Sequence, residues 1–179
     1  MHRLFVAIRP PAPIREQLLD LMEGLAGARW QDDEQLHLTL RFIGEVDARV
    51  ADDVVVALEG VSHPPIEIAL HGIGAFDKRG RVETIWAGVR PHDGLARLHR
   101  KIDQALTRAG LAPEGRAYLP HITIARLGRG GCDPQPWIAR HAGFAGASFT
   151  ASHFALFESH TSHTGATYEM VQRYPLAGF

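Results

Sequence analysis

Two four-residue segments, His37-Leu38-Thr39-Leu40 and His121-Ile122-Thr123-Ile124, repeat the pattern His, aliphatic, Thr, aliphatic at positions 84 apart. This repeat constrains the fold more than any other feature of the chain. With eleven histidines among 179 residues, about 0.5 His-x-Thr triplets arise by chance, and roughly 0.02 once both aliphatic positions are required, so two copies form a specific signal. In a strand, alternate side chains share a face. His37 and Thr39 therefore point one way and Leu38 and Leu40 into a core, with the second copy doing likewise.

The flanking patterns repeat as well. Arg3 to Ile8 is a short β-type run stopped by Pro10 and Pro11, followed by Ile14, Leu18, Leu21, Met22 and Leu25 at helical spacing up to Gly27. His37 to Ile43 reads as a strand, and Asp47 as the N-cap of a helix ending near Gly60. Ile66 to Leu70 and Thr84 to Val89 are strand-like, with Asp77-Lys78-Arg79-Gly80 as a polar turn between them. A helix follows from about Asp93 to Gly110, with Leu95, Leu98, Ile102 and Leu106 on one face. His121 to Leu127 is again a strand, succeeded by a Gly-rich turn and a short helix capped by Asp133. Phe149 to Phe157 and Tyr168 to Leu176 read as closing strands, with Glu158 to Thr167 as a loop. The expected fold is α+β: strand-helix units duplicated about a pseudo-twofold, with antiparallel sheets in two lobes facing a central cleft. The whole chain, residues 1–179, is expected to be one domain.

Composition removes several function classes. The single cysteine, Cys132, supplies neither an internal disulfide nor a multi-cysteine metal site. No stretch approaches the roughly 18 apolar residues of a membrane span, and Met1 to Pro10 lacks the apolar core of a signal peptide, so a soluble, cytoplasmic monomer is expected. A net charge of −1 argues against long duplexes as partners and leaves any nucleic-acid contact to a local basic cleft. His153, His160 and His163 lack a metal-ligand spacing, and no metal or cofactor is expected.

If the lobes face each other, the two imidazoles and two hydroxyls line one cleft. Imidazoles titrating near about pH 6.5 divide readily into one neutral base and one protonated acid, which is what in-line hydrolysis of a phosphodiester needs. Thr39 and Thr123 then donate to the non-bridging phosphate oxygens.

Beyond the two motifs, Arg3-Leu4-Phe5-Val6-Ala7-Ile8, the stretch Leu40 to Val46, the stretch Leu119 to Arg126 and the ending Tyr168 to Leu176 carry a resemblance over nearly the whole chain. The chain resembles the two-histidine phosphoesterase superfamily and, within it, the RNA 2′,3′-cyclic phosphodiesterases, historically called 2′-5′ RNA ligases. The resemblance implies hydrolysis of 2′,3′-cyclic phosphates on RNA ends to a 2′-phosphate. It also implies His37 as the acid, His121 as the base, and a phosphate contact from the arginine five positions after the second histidine. RNA 2′-5′ ligation and an idle RNA-binding module on the same fold are the alternatives.

That arginine is Arg126, and an odd offset puts it on the opposite face of a regular strand from His121. A bulge or strand end near Ala125 would restore it. Phe42 holds the same offset in the first motif and is a candidate to stack on a terminal base, a core phenylalanine being the plainer alternative. Arg41 shares the parity of His37 and is a secondary phosphate candidate. Lys78, Arg79 and Arg81 form a charged turn that could guide an RNA strand, although such tips are usually just solvated.

Overall fold

The computed structural model describes residues 1–177. In chain order it contains β1 (His2–Ile8), α1 (Ala12–Leu19), β2 (Ala28–Trp30), a 3-10 turn (Asp33–Gln35), β3 (Leu38–Val46), α2 (Ala48–Glu59), β4 (Ile66–Lys78) and β5 (Arg81–Arg90). These are followed by α3 (Asp93–Arg108), β6 (His121–Leu127), α4 (Gln135–His141), β7 (Ala145–Ala151), β8 (His153–Ser162) and β9 (Gly165–Pro175). The architecture is α+β, and the strand pairings among the described residues are all antiparallel.

The strands run in the order β7-β4-β5-β6-β3-β1-β8-β9, with β2 beside β6. Two four-strand halves, β6-β5-β4-β7 and β3-β1-β8-β9, are related as the sequence repeat requires. They meet at one register pair, Leu38 with Ile122. Beyond it the free edge of β6 passes to β2, which pairs Trp30 with Ala125 and Arg29 with Arg126.

The helices interlock the halves. α1 leaves β1 of one half yet packs on β7 of the other, while α3 leaves β5 and packs on β3. α2 joins α3 over the first half, and α4 packs on β4 of the second. One hydrophobic cluster therefore runs through both halves, from Leu4, Leu38 and Ile122 to Leu95, Trp137 and Leu176. Asp47 caps α2 by accepting from the Val50 N–H at 2.9 Å, and α3 buries Leu95, Leu98, Ile102 and Leu106.

Three local expectations change. α1 stops at Leu19, and Leu21 and Met22 pack on the core from irregular backbone. The run Phe149 to Phe157 breaks at Ser152 into β7 and β8, which lie in opposite halves of the sheet. The expected loop from Glu158 to Thr167 is a hairpin, paired from Glu158–Glu169 to Ser162–Gly165. His160 to Thr164 and Thr167 are exposed, so no apolar alternation marks the segment as β.

Candidate active site

Each His-x-Thr strand carries a one-residue irregularity at the same place. On β6, Trp86 pairs with Thr123 but Ile85 pairs with Ala125, leaving Ile124 unmatched. Such a bulge shifts the alternation by one, so Ile124 and Ala125 are both buried and Arg126 returns to the face of His121 and Thr123. On β3, Ala7 pairs with Thr39 and Val6 with Arg41, leaving Leu40 unmatched. The same shift buries Arg41 and brings Phe42 to the face of His37.

The Leu38–Ile122 pair then orders the polar groups. In an antiparallel ladder it sets His37 against Thr123 and Thr39 against His121, all four on the face opposite the buried aliphatics. Each imidazole Nδ1 donates to a backbone carbonyl two residues earlier, His37 to Gln35 and His121 to Leu119, both at 2.7 Å. This fixes the tautomer and leaves Nε2 as the atom free to exchange a proton.

Local chemistry explains why those carbonyls stay put. Asp32 and Gln35 form a reciprocal capping box around the 3-10 turn, and the Gln35 Nε2 donates to Ala166 O at 2.9 Å, tying the turn to β9. Arg15 donates to Asp33 at 2.9 Å and holds that carboxyl below its usual range. On the other side, the Tyr118 hydroxyl donates to Thr39 O at 2.9 Å and joins the segment before His121 to β3.

Two aromatic rings flank each histidine. His37 lies 4.8 Å from Phe5 and edge-on to Tyr168 at 5.2 Å, above a small apolar cluster of Phe5, Ala7, Ala155 and Phe157. His121 lies edge-on to Phe76 at 4.9 Å and 5.7 Å from Trp86. Gly74 makes room for that indole, since a Cβ there would stand 2.3 Å from it. Burial in this surround disfavours the imidazolium and lowers the His37 pKa to about 4, with the positive charges of His121, Arg126 and Arg9 adding to the effect. His121 is lowered by burial and then by Arg126. Burial also raises Tyr168, keeping its hydroxyl protonated as a donor.

Arg126 is exposed, yet its charge acts on His37, His121 and Tyr168 together. It is the cation common to the cluster. Arg126→Ala is expected to raise KM for a phosphodiester and to lower kcat/KM by about 10- to 100-fold, the loss of one charge-assisted contact in a partly desolvated site. Steady-state kinetics check this, and unchanged constants would return Arg126 to the surface.

Arg41 behaves differently from the sequence expectation. It is 7 % exposed, and although it borders the cavity beside His121, its guanidinium is already occupied, donating to Asp103 at 2.9 Å and to the Ala112 carbonyl at 2.6 Å. Phe42 is 40 % exposed with the Arg3 guanidinium 5.4 Å from its ring centre. It joins Phe76, Tyr118, Leu119, Thr39 and His121 around a cavity of about 480 Å³, whose wall also includes Arg41 and Arg116. Phe76 and Trp86 had no signal in the sequence, and Phe5 and Tyr168 only that of lying in segments that carry the resemblance, because each meets its histidine only through strand pairing between distant segments. Ligand atoms of Glu158, His160 and Glu169 gather within 4.8 Å on the β8–β9 hairpin. These residues already pair with protein groups: half-buried Glu158 is hydrogen-bonded to His2 at 2.8 Å, and His160 to Glu169 at 3.2 Å.

The family described as LigT like Phosphoesterase matches residues 8–86 and 88–168, one stretch for each histidine motif. A protein of Methanocaldococcus jannaschii named RNA 2′,3′-cyclic phosphodiesterase is 30% identical over 176 residues, covering 96% of this chain and 99% of its own. An Escherichia coli protein of the same name is 33% identical over 129 residues, covering 70% of this chain and 72% of its own. Among solved structures, Escherichia coli LigT complexed with 3′-AMP superposes with a TM-score of 0.81 at 27% identity over 98% of both chains. With both halves matched and a 30% identical relative spanning almost its full length, this chain belongs to the LigT-like phosphoesterase family.

Proposed function

We propose that this protein hydrolyses 2′,3′-cyclic phosphates on RNA ends to 2′-phosphates, with His37 and His121 as the acid–base pair. The observation that carries the reading is the matched pair of imidazoles, each with Nδ1 held by a carbonyl at 2.7 Å and each set beside the other motif's threonine. The names of the relatives support the substrate class.

In the proposed reaction the base takes a proton from water as its oxygen attacks phosphorus. The P–O3′ bond breaks in line, and the acid gives its proton to O3′. Thr39 and Thr123 donate to the non-bridging oxygens while Arg126 balances their charge. Phe42, at the rim of the cavity beside His121, offers a face for the terminal base. The resemblance assigns the acid to His37. Since burial holds His37 lowest in the free site, that proton must arrive with the phosphate, whose negative charge raises the pKa of an adjacent imidazole.

These shifts set a pH profile. The free enzyme needs one imidazole charged and one neutral, a state bounded below by His37 near 4 and above by His121, itself below 6.5. kcat/KM is expected to peak on the acid side of neutrality and to be at least about tenfold lower at pH 8, with the kcat profile displaced upward by the bound anion. That single proton rests on His121 until the phosphate draws one to His37, and the profile is the same for either assignment of roles; a kcat/KM optimum above pH 7 would contradict the shared-proton scheme itself.

The test of the function is incubation with an oligoribonucleotide ending in a 2′,3′-cyclic phosphate, in EDTA, with the product phosphate located afterwards. A 2′-phosphate supports the reading. An intact substrate removes it, and leaves the idle RNA-binding module; joined strands in the same reaction would favour the ligase alternative.

A further inference from the structure

The tip of the β4–β5 hairpin carries a group of cations that this chemistry does not use. Lys78, Arg79 and Arg81, together with Arg129 from the loop after β6, line a concavity of about 220 Å³ with Glu83 as the one carboxylate among the described lining residues. All four cations are exposed, and Glu83 lies 3.9 Å from Arg81. Four positive groups against one negative is a marked local excess on a chain whose net charge is −1.

Strand register puts this cluster on the face of the histidines. Phe76 packs edge-on against His121, and Lys78, two residues along β4, shares its face. Lys78 pairs directly with Arg81, and the irregularity that leaves Glu83 unmatched on β5 brings Arg81 to that face too. Thr84 is the partner of Arg126, and with Glu83 bulged out Arg81 lies two ladder steps on, so Arg81 stands about 7 Å beyond Arg126 along the strand. The cations therefore continue the phosphate-facing surface away from the cleft.

The turn itself supplies a second observation. Arg79 has φ 54 and Gly80 φ 77, the two-residue hairpin geometry whose first central position suits Asn, Asp or Gly. An arginine there holds a cation at the tip at a conformational cost.

We propose that Lys78, Arg79, Arg81 and Arg129 bind backbone phosphates of the RNA strand leading to the cyclic end, so that an oligoribonucleotide is a better substrate than a cyclic mononucleotide. The inference rests on the RNA-end reading above. A flexible single strand presents a negative charge at every nucleotide, which matches cations spaced along a surface and makes binding salt-dependent.

The test compares wild type with the triple variant Lys78→Glu, Arg81→Glu, Arg129→Glu on two substrates, adenosine 2′,3′-cyclic monophosphate and an octaribonucleotide with a 2′,3′-cyclic end. The variant is expected to lose about 10- to 100-fold in kcat/KM on the octamer and less than about twofold on the mononucleotide. Its dependence of log kcat/KM on log salt should flatten by about 2, near 0.7 for each lost phosphate contact. Equal losses on both substrates, or none on the octamer, would overturn the proposal. Fluorescence anisotropy of a labelled octamer ending in a 2′-phosphate separates this inference from the activity. If neither substrate is turned over, octamer binding that the variant loses still supports the cluster as an RNA site, and equal binding by both proteins rejects it. Displacement of the octamer by a polyglutamate peptide at equal charge concentration would reject RNA in favour of an acidic protein segment.

Discussion

His37→Ala and His121→Ala are each expected to lower turnover of a 2′,3′-cyclic phosphate by about 10²- to 10⁴-fold, with less than the product of the two losses in the double variant. The reason is that in the proposed reaction both imidazoles serve one transition state. Each has its Nδ1 engaged by a backbone carbonyl, so each loses the same Nε2 function on truncation, and a site already missing its acid gains less from its base. Single-turnover kinetics on the two single variants and the double check the additivity. Fully multiplicative losses would mean that the histidines act in separate steps. The same variants assign the roles, because a substrate with a much better 3′ leaving group needs no proton on departure. It should rescue His37→Ala far more than His121→Ala if His37 is the acid, and the reverse pattern would exchange the roles.

Arg41→Ala is expected to destabilise the fold by about 2–3 kcal/mol while leaving the folded enzyme's KM within about twofold, the behaviour of a lost, partly buried ion pair and its hydrogen bonds rather than of a lost substrate contact. Arg41 is 7 % exposed and Asp103 faces it at 2.9 Å, with the Ala112 carbonyl and the Glu114 N–H completing the group. Removing the guanidinium leaves the carboxylate with the Glu114 N–H alone and loosens the chain segment between α3 and β6 that leads to His121. Urea unfolding measures the first effect and steady-state kinetics the second. A raised KM at unchanged stability would restore Arg41 as a phosphate contact.

The contrast between Arg41 and Arg126 shows what local pattern can carry. Both motifs, the α+β alternation and the capped helix after β3 follow from strand and helix periodicity along the chain, and so does the sharing of one face by His37 with Thr39 and by His121 with Thr123. Periodicity holds only while a strand is regular. By simple alternation Arg41 belongs beside His37 and Arg126 opposite His121, and the bulges at Leu40 and Ile124 reverse both placements. A bulge is a mismatch between two strands, so it depends on how β3 lies against β1 and how β6 lies against β5.

The sequence by itself determined which groups are available for the proposed chemistry, because imidazole and hydroxyl at a two-residue spacing share a face of any strand that forms. Only the tertiary structure decided how those groups are tuned and joined. The rings that desolvate His37 come from β1 and β9, those beside His121 from β4 and β5. The two motifs themselves meet at the single Leu38–Ile122 pair. Desolvation and register are properties of segments brought together from far apart in the chain, and no window of local sequence contains both partners.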